Sequence, residues 1–147
     1  MENNTSGVLE ATVAKFKLIA RDTLRMNLIS ARLSTVASLE GEVKATTDCK
    51  TRIEHRVKVA QYELSKLDKE HPDFELNKTE YEALLKGLTV DLEEHTKEIE
   101  RLTKLITEQK EGIAKIESGE TKVSLDELNA LVEKLTREYA YSKVKTS

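Results

Sequence analysis

Residues 81–116 read YEALLKGLTVDLEEHTKEIERLTKLITEQKEGIAKI. Steps of four and three from Tyr81 pick out Leu85, Leu88, Leu92, His95, Ile99, Leu102, Ile106, Gln109, Ile113 and Ile116, and nine of these eleven positions are apolar or aromatic. A 4-3 alternation sustained over five heptads is the signature of a helix that buries one narrow seam against another helix. The same alternation runs upstream through Val36, Leu39, Val43, Thr46, Lys50, Ile53, Val57, Ala60, Leu64 and Leu67. Between the two runs stand His71-Pro72-Asp73-Phe74-Glu75, with the chain's one proline. Proline disfavours the α region in the residue before it and marks a turn. The expected fold class is therefore all-α: a long antiparallel coiled-coil helical hairpin plus a short C-terminal third helix, oligomeric.

The expected boundaries follow from local signals. Residues 1–7 are polar and are expected to be a flexible N-terminus. The hairpin covers 8–117, with a first helix over about 8–69, a turn over 70–76 and a second helix over about 77–117. Asn77 and Glu80 have capping-box spacing, and Leu76 with Tyr81 has staple spacing. Ser118-Gly119 ends the second helix. Ser124 with Glu127, and Val123 with Leu128, repeat the two start signals for an amphipathic helix over 124–141. Residues 142–147 are expected to be a flexible tail.

Length accounts for where the seam changes. A second helix of about 41 residues spans ~62 Å, and folded back from the turn it covers the first helix only to about residue 30. Upstream the apolar set widens to include Phe16, Ile19, Leu24, Met26, Ile29 and Leu33. That face is too broad for a two-helix seam and needs further cover. Leu128, Val132 and Leu135 of the third helix could supply it, from the same chain or another. Phe16, Ile19, Leu24, Met26, Ile29, Leu33, Leu128, Val132 and Leu135 are thus the expected oligomer interface.

Composition excludes several classes. Charged residues are 35% of the 147, aromatics 4%, and there is no Trp. That suits thin helical seams better than a thick globular core. One cysteine, Cys49, rules out an internal disulfide framework. No apolar run is long enough for a membrane span, and the N-terminus lacks a basic region before an apolar core, so a cytoplasmic protein is expected. No cofactor, metal or catalytic constellation is expected. His55, His71 and His95 are scattered, and His55 lies off the seam. His95 and Gln109 read as polar seam residues that fix register. Cys49 would need an activating base, and the sequence gives none. Glu93-Glu94 point to different faces of one helix.

The expected partners are further copies of this chain, an unidentified protein partner and, as an alternative, single-stranded DNA. Residues 1–72 carry 12 Lys/Arg against 10 Asp/Glu, and residues 73–147 carry 12 against 17. Arg52, Arg56, Lys58, Lys66, Lys69 and Lys78 are the candidate nucleic-acid contacts, with Tyr62, Phe74 and Tyr81 near the turn available to stack on bases. At Arg52-Ile53-Glu54 and Lys58-Val59-Ala60 the first helix resembles the corresponding helix of the phage UvsY-type recombination mediators. The Lys78-Thr79-Glu80 start of the second helix is similar too. The resemblance implies a small helical phage protein that forms ring-like oligomers, binds single-stranded DNA and helps load a recombinase. The chain departs from that family in its more regular second-helix heptads and its fewer aromatics. Three functional readings result: a non-enzymatic coiled-coil scaffold, adaptor or assembly factor; an oligomeric single-stranded-DNA-binding mediator; and a small helical inhibitor that docks on a partner protein.

Overall fold

The computed structural model describes the backbone of residues 2–121 and 124–146, and the side chains of residue 7 and of 10–121 and 124–140. The fold is all-α: α1 is Glu2–Ser65, α2 is Phe74–Glu117 and α3 is Leu125–Thr146, with no strand among the described residues. The chain divides into two compact units. One holds Met1–Thr35 with Gln109–Ser147, the other Val36–Glu108.

Several boundaries differ from the expected ones. α1 begins at Glu2, so residues 2–7 are helical. Once a helix is nucleated, extending it by a turn costs little even through Asn3-Asn4-Thr5-Ser6. α1 stops at Ser65 instead of near Lys69. There the Lys66 amide is shared between the Tyr62 and Glu63 carbonyls, the Leu67 amide turns to Leu64, and the Ser65 hydroxyl donates to the Tyr62 carbonyl at 2.6 Å. Asp68 then accepts from the Glu70 amide at 3.0 Å, an Asx turn that competes with further helix. α2 starts at Phe74, three residues before the expected Asn77 cap. The Asn77 amide donates to the Asp73 carbonyl at 2.9 Å, which makes Asp73 the residue at the N-cap position. α2 ends at Glu117, and Gly119 takes the left-handed conformation (φ 81°) that a glycine enters without steric cost. The Ser124 carbonyl accepts from the Leu128 amide at 2.9 Å, opening α3 at the cap position read from the sequence. Val123, the other half of the expected staple, lies outside the described residues. α3 continues to Thr146, past the expected end near Tyr141.

In the Val36–Glu108 unit the seam is sharply drawn. From 36 to 67 the ten seam residues are buried or half-buried, and every other residue is exposed. On α2 every seam position from Tyr81 to Ile106 is likewise at least half-buried. Leu88 is 3% exposed and Leu102 1%. Each such leucine contributes roughly 1.5–3 kcal/mol through burial. Ala60, 3% exposed, is the small residue in this seam.

In the other unit Ala20 is 0% exposed and Ile116 2%. Phe16 of α1 meets Tyr139 of α3 edge-on, with ring centroids 5.7 Å apart. α3 therefore packs on α1 of its own chain, with Leu128, Val132 and Leu135 half-buried. Arg32 donates to the Gln109 side-chain oxygen at 3.1 Å, and its guanidinium lies over Gly112, where a Cβ would collide with it. Gln109 is thus a polar seam residue with a named hydrogen-bond partner.

The glycines separate by environment. A Cβ added at Gly41 or Gly87 meets nothing within 4 Å. A glycine inside an exposed helix costs about 1 kcal/mol against alanine. Gly87→Ala should raise stability by about 0.5–1 kcal/mol, read as a higher denaturation midpoint. Gly112→Ala should gain less, because the Arg32–Gln109 bond must move. A fall in midpoint for Gly87→Ala would contradict this packing.

Candidate functional site

The residues expected at an oligomer interface fall into two groups. Phe16, Leu24 and Ile29 are half-buried, as are Leu128, Val132 and Leu135. The contact of α3 on α1 takes up at least part of that face within one chain. Ile19, Met26 and Leu33 remain 41%, 67% and 54% exposed. They are spaced by seven, so they form one line along α1, with Leu18 beside it at 61%. Arg25 is half-buried, and its Nε has no hydrogen-bond partner.

The candidate nucleic-acid contacts are all exposed but do not form one stripe. Arg52, Arg56 and Lys66 immediately precede seam residues, whereas Lys58 follows one and lies on the opposite flank. Lys69 stands beyond the end of α1, and Lys78 lies near the start of α2. Glu63 interrupts the basic run. Of the three aromatics near the turn, Tyr62 is open, at 64% exposure, with the Lys66 ammonium 5.6 Å from its ring centre. Phe74 and Tyr81 are half-buried. Their role is packing and hydrogen bonding, because Tyr81 donates its hydroxyl to Glu63 at 2.8 Å.

Recesses open in the Val36–Glu108 unit, two of them between α1 and α2 and another between α2 and the segment that follows α1. One, of about 360 Å³, is lined by Ala45, Thr46, Cys49, Glu94, His95 and Glu98. A second, of about 190 Å³, is lined by Arg56, Val59, Ala60, Glu63, Leu84 and Leu88. A third, of about 350 Å³, has Leu67, Asn77, Glu80, Tyr81 and Leu84 on its walls. The first brings an imidazole to the wall of the recess that holds the exposed Cys49, which no spacing in the sequence signals. His95 Nδ1 lies 2.7 Å from the Asp91 carbonyl. A carbonyl only accepts, so Nδ1 is the donor in this contact. Among the described residues no group of three His, Cys, Asp or Glu is placed to hold a metal ion. No helix is long and apolar enough to cross a membrane.

The electrostatics follow from pairing across and along the helices. Glu98 accepts from Arg101, and that bond holds its carboxyl below the ordinary carboxylate range. The same bond raises the Arg101 guanidinium, with Glu42 of α1 adding a smaller Coulombic pull. Donation to the Glu63 carboxylate, then desolvation and the nearby negative charge, raise the Tyr81 phenol. A folded pKa above the unfolded one stabilises the fold below the ordinary phenol value, and the gain is lost as pH rises through the folded value. Tyr81→Phe should therefore lower the thermal midpoint at neutral pH and flatten its decline at alkaline pH. An unchanged alkaline decline would show that the Tyr81–Glu63 bond contributes nothing.

Comparison with protein-family models, with curated proteins and with solved structures finds no match.

Proposed function

We propose that this chain is a non-catalytic coiled-coil protein that self-associates and works as a scaffold, adaptor or assembly factor. In this reading α1 and α2 form an antiparallel hairpin. Support comes from the paired contacts: Glu63 with Tyr81, Val59 with Leu84, Cys49 with Glu94, and Arg32 with Gln109. Partners later in α2 lie against residues earlier in α1. The observation that carries self-association is the heptad-spaced line of Ile19, Met26 and Leu33, left open after α2 and α3 have docked. A seven-residue apolar spacing on a helix is the pattern that another helix fills.

Changing Ile19, Met26 and Leu33 together to Ser should leave helicity unchanged, because all three are exposed. Light scattering should then report the single-chain mass of 16.6 kDa, against a larger mass for the unaltered protein. Equal masses for the two would refute self-association through this line.

A second reading is an oligomeric single-stranded-DNA-binding accessory protein. It is favoured by the open Tyr62 ring on a helix that also presents Arg52, Arg56 and Lys66. Oligonucleotide binding would then weaken steeply with salt and fall at least tenfold in Arg52→Glu/Arg56→Glu, the scale expected when charge-assisted phosphate contacts are reversed. No binding at low salt would exclude it.

A further inference from the structure

The two flanks of the α1–α2 seam in the Val36–Glu108 unit differ in chemistry. Apart from Ala37 after Val36, the residue following each seam position is polar, from Glu40 to Gln61 on α1 and from Glu82 to Thr107 on α2. The residues preceding seam positions include Ala45, Cys49, Val59, Leu84, Gly87 and Leu105. Val59 and Leu84 are 41% and 42% exposed. The recess at Cys49 and the recess at Val59 are both lined by seam residues and these preceding residues, and so open on this one flank. A two-helix coil with one polar flank, and another whose charged residues frame recesses with apolar residues on their walls, offers the recessed side to a third helix.

Taken together this flank is acidic: Glu80, Asp91, Glu94, Glu98 and Glu108 stand against Arg101 on α2, and Glu42 and Glu63 against Arg52, Arg56 and Lys66 on the facing side. Its natural occupant is an apolar helical line with basic surroundings. This chain carries one: Ile19, Met26 and Leu33 sit in a segment, 8–33, with five Lys/Arg against two Asp/Glu. The lengths agree. Ile19 to Leu33 spans ~21 Å of helix, and Ala45 to Glu63 spans ~27 Å. Two such lines meeting face to face would instead bring like charge together, which association disfavours.

We propose that the Ile19–Met26–Leu33 line of one chain docks as a third helix into the recessed flank of the Val36–Glu108 unit of a second copy. The proposal rests on the self-association reading and names its acceptor. Each copy offers both a donor line and an acceptor groove, so the contact either closes reciprocally as a two-fold dimer or propagates from copy to copy.

The native thiol lies in the acceptor groove, which allows a direct test. The unaltered chain, with Cys49, is mixed with a second chain carrying Cys49→Ser and one of Ile19→Cys, Met26→Cys or Leu33→Cys. A short bismaleimide is added and the products are resolved by mass. The expected product links the introduced thiol of one chain to Cys49 of the other, for at least one of the three positions. Val59→Glu with Leu84→Glu in the acceptor should reduce that product at least tenfold, with helicity by circular dichroism unchanged. Links only between introduced thiols, an oligomer with no link to Cys49, or a Cys49 link indifferent to the glutamates would overturn the groove and leave self-association standing. A single-chain mass with no links would remove self-association itself.

Discussion

Burial of one thin apolar seam is the constraint on which the Val36–Glu108 unit depends. The unit has few large aromatics and no thick core, so its stability resides in Leu, Ile and Val packed in a single file. Leu88 and Leu102 are almost wholly buried, while on α1 from Val36 onward the residues one step to either side of the seam are exposed. A thin seam leaves little redundancy. Polar residues within it, such as Thr46, Lys50 and His95, weaken the packing but restrict the registers in which two helices can meet.

Beyond Val36 the packing problem changes, because α1 there meets two other helical segments, the end of α2 and α3. Gly112 admits the Arg32 guanidinium, Arg32 binds Gln109, and Phe16 sets its edge against Tyr139. These are specific, side-chain-defined contacts where the heptad pattern no longer dictates the geometry. What they leave over is informative: three apolar side chains at seven-residue spacing, facing solvent. The functional proposals follow from that remainder, since exposed Ile, Met and Leu repeated at one register form an apolar line of the kind that a second surface covers.

The seam was readable because a periodicity belongs to one helix and needs no knowledge of its partner. The nine seam positions on α1, Leu67 just beyond its end and all eleven on α2 are at least half-buried. Contacts between elements were less readable. Ala20 is fully buried, yet its signal was only its place four residues from both Phe16 and Leu24. The meeting of Cys49 and His95 in one recess depends on the relative register of two helices, which neither sequence run specifies alone. Helix ends were displaced where local hydrogen bonds decide them: at Ser65, where a hydroxyl and an Asx turn take over, and at Asp73, which sits at the cap position expected of Asn77. The flank on which each basic residue stands is set by helix phase and not by its place in the count. Arg56 and Lys58, two apart, lie on opposite flanks of the seam.

The central claim, that α1 and α2 pair in opposite directions along their seams, is tested most directly by pulsed-EPR distances between spin labels in one chain, diluted with unlabelled protein. Labels at 49 and 94, and separately at 59 and 84 in a Cys49→Ser background, should both report short distances, whereas labels at 49 and 84 should report a clearly longer one. A short 49–84 distance, or long distances for the other two pairs, would contradict the account.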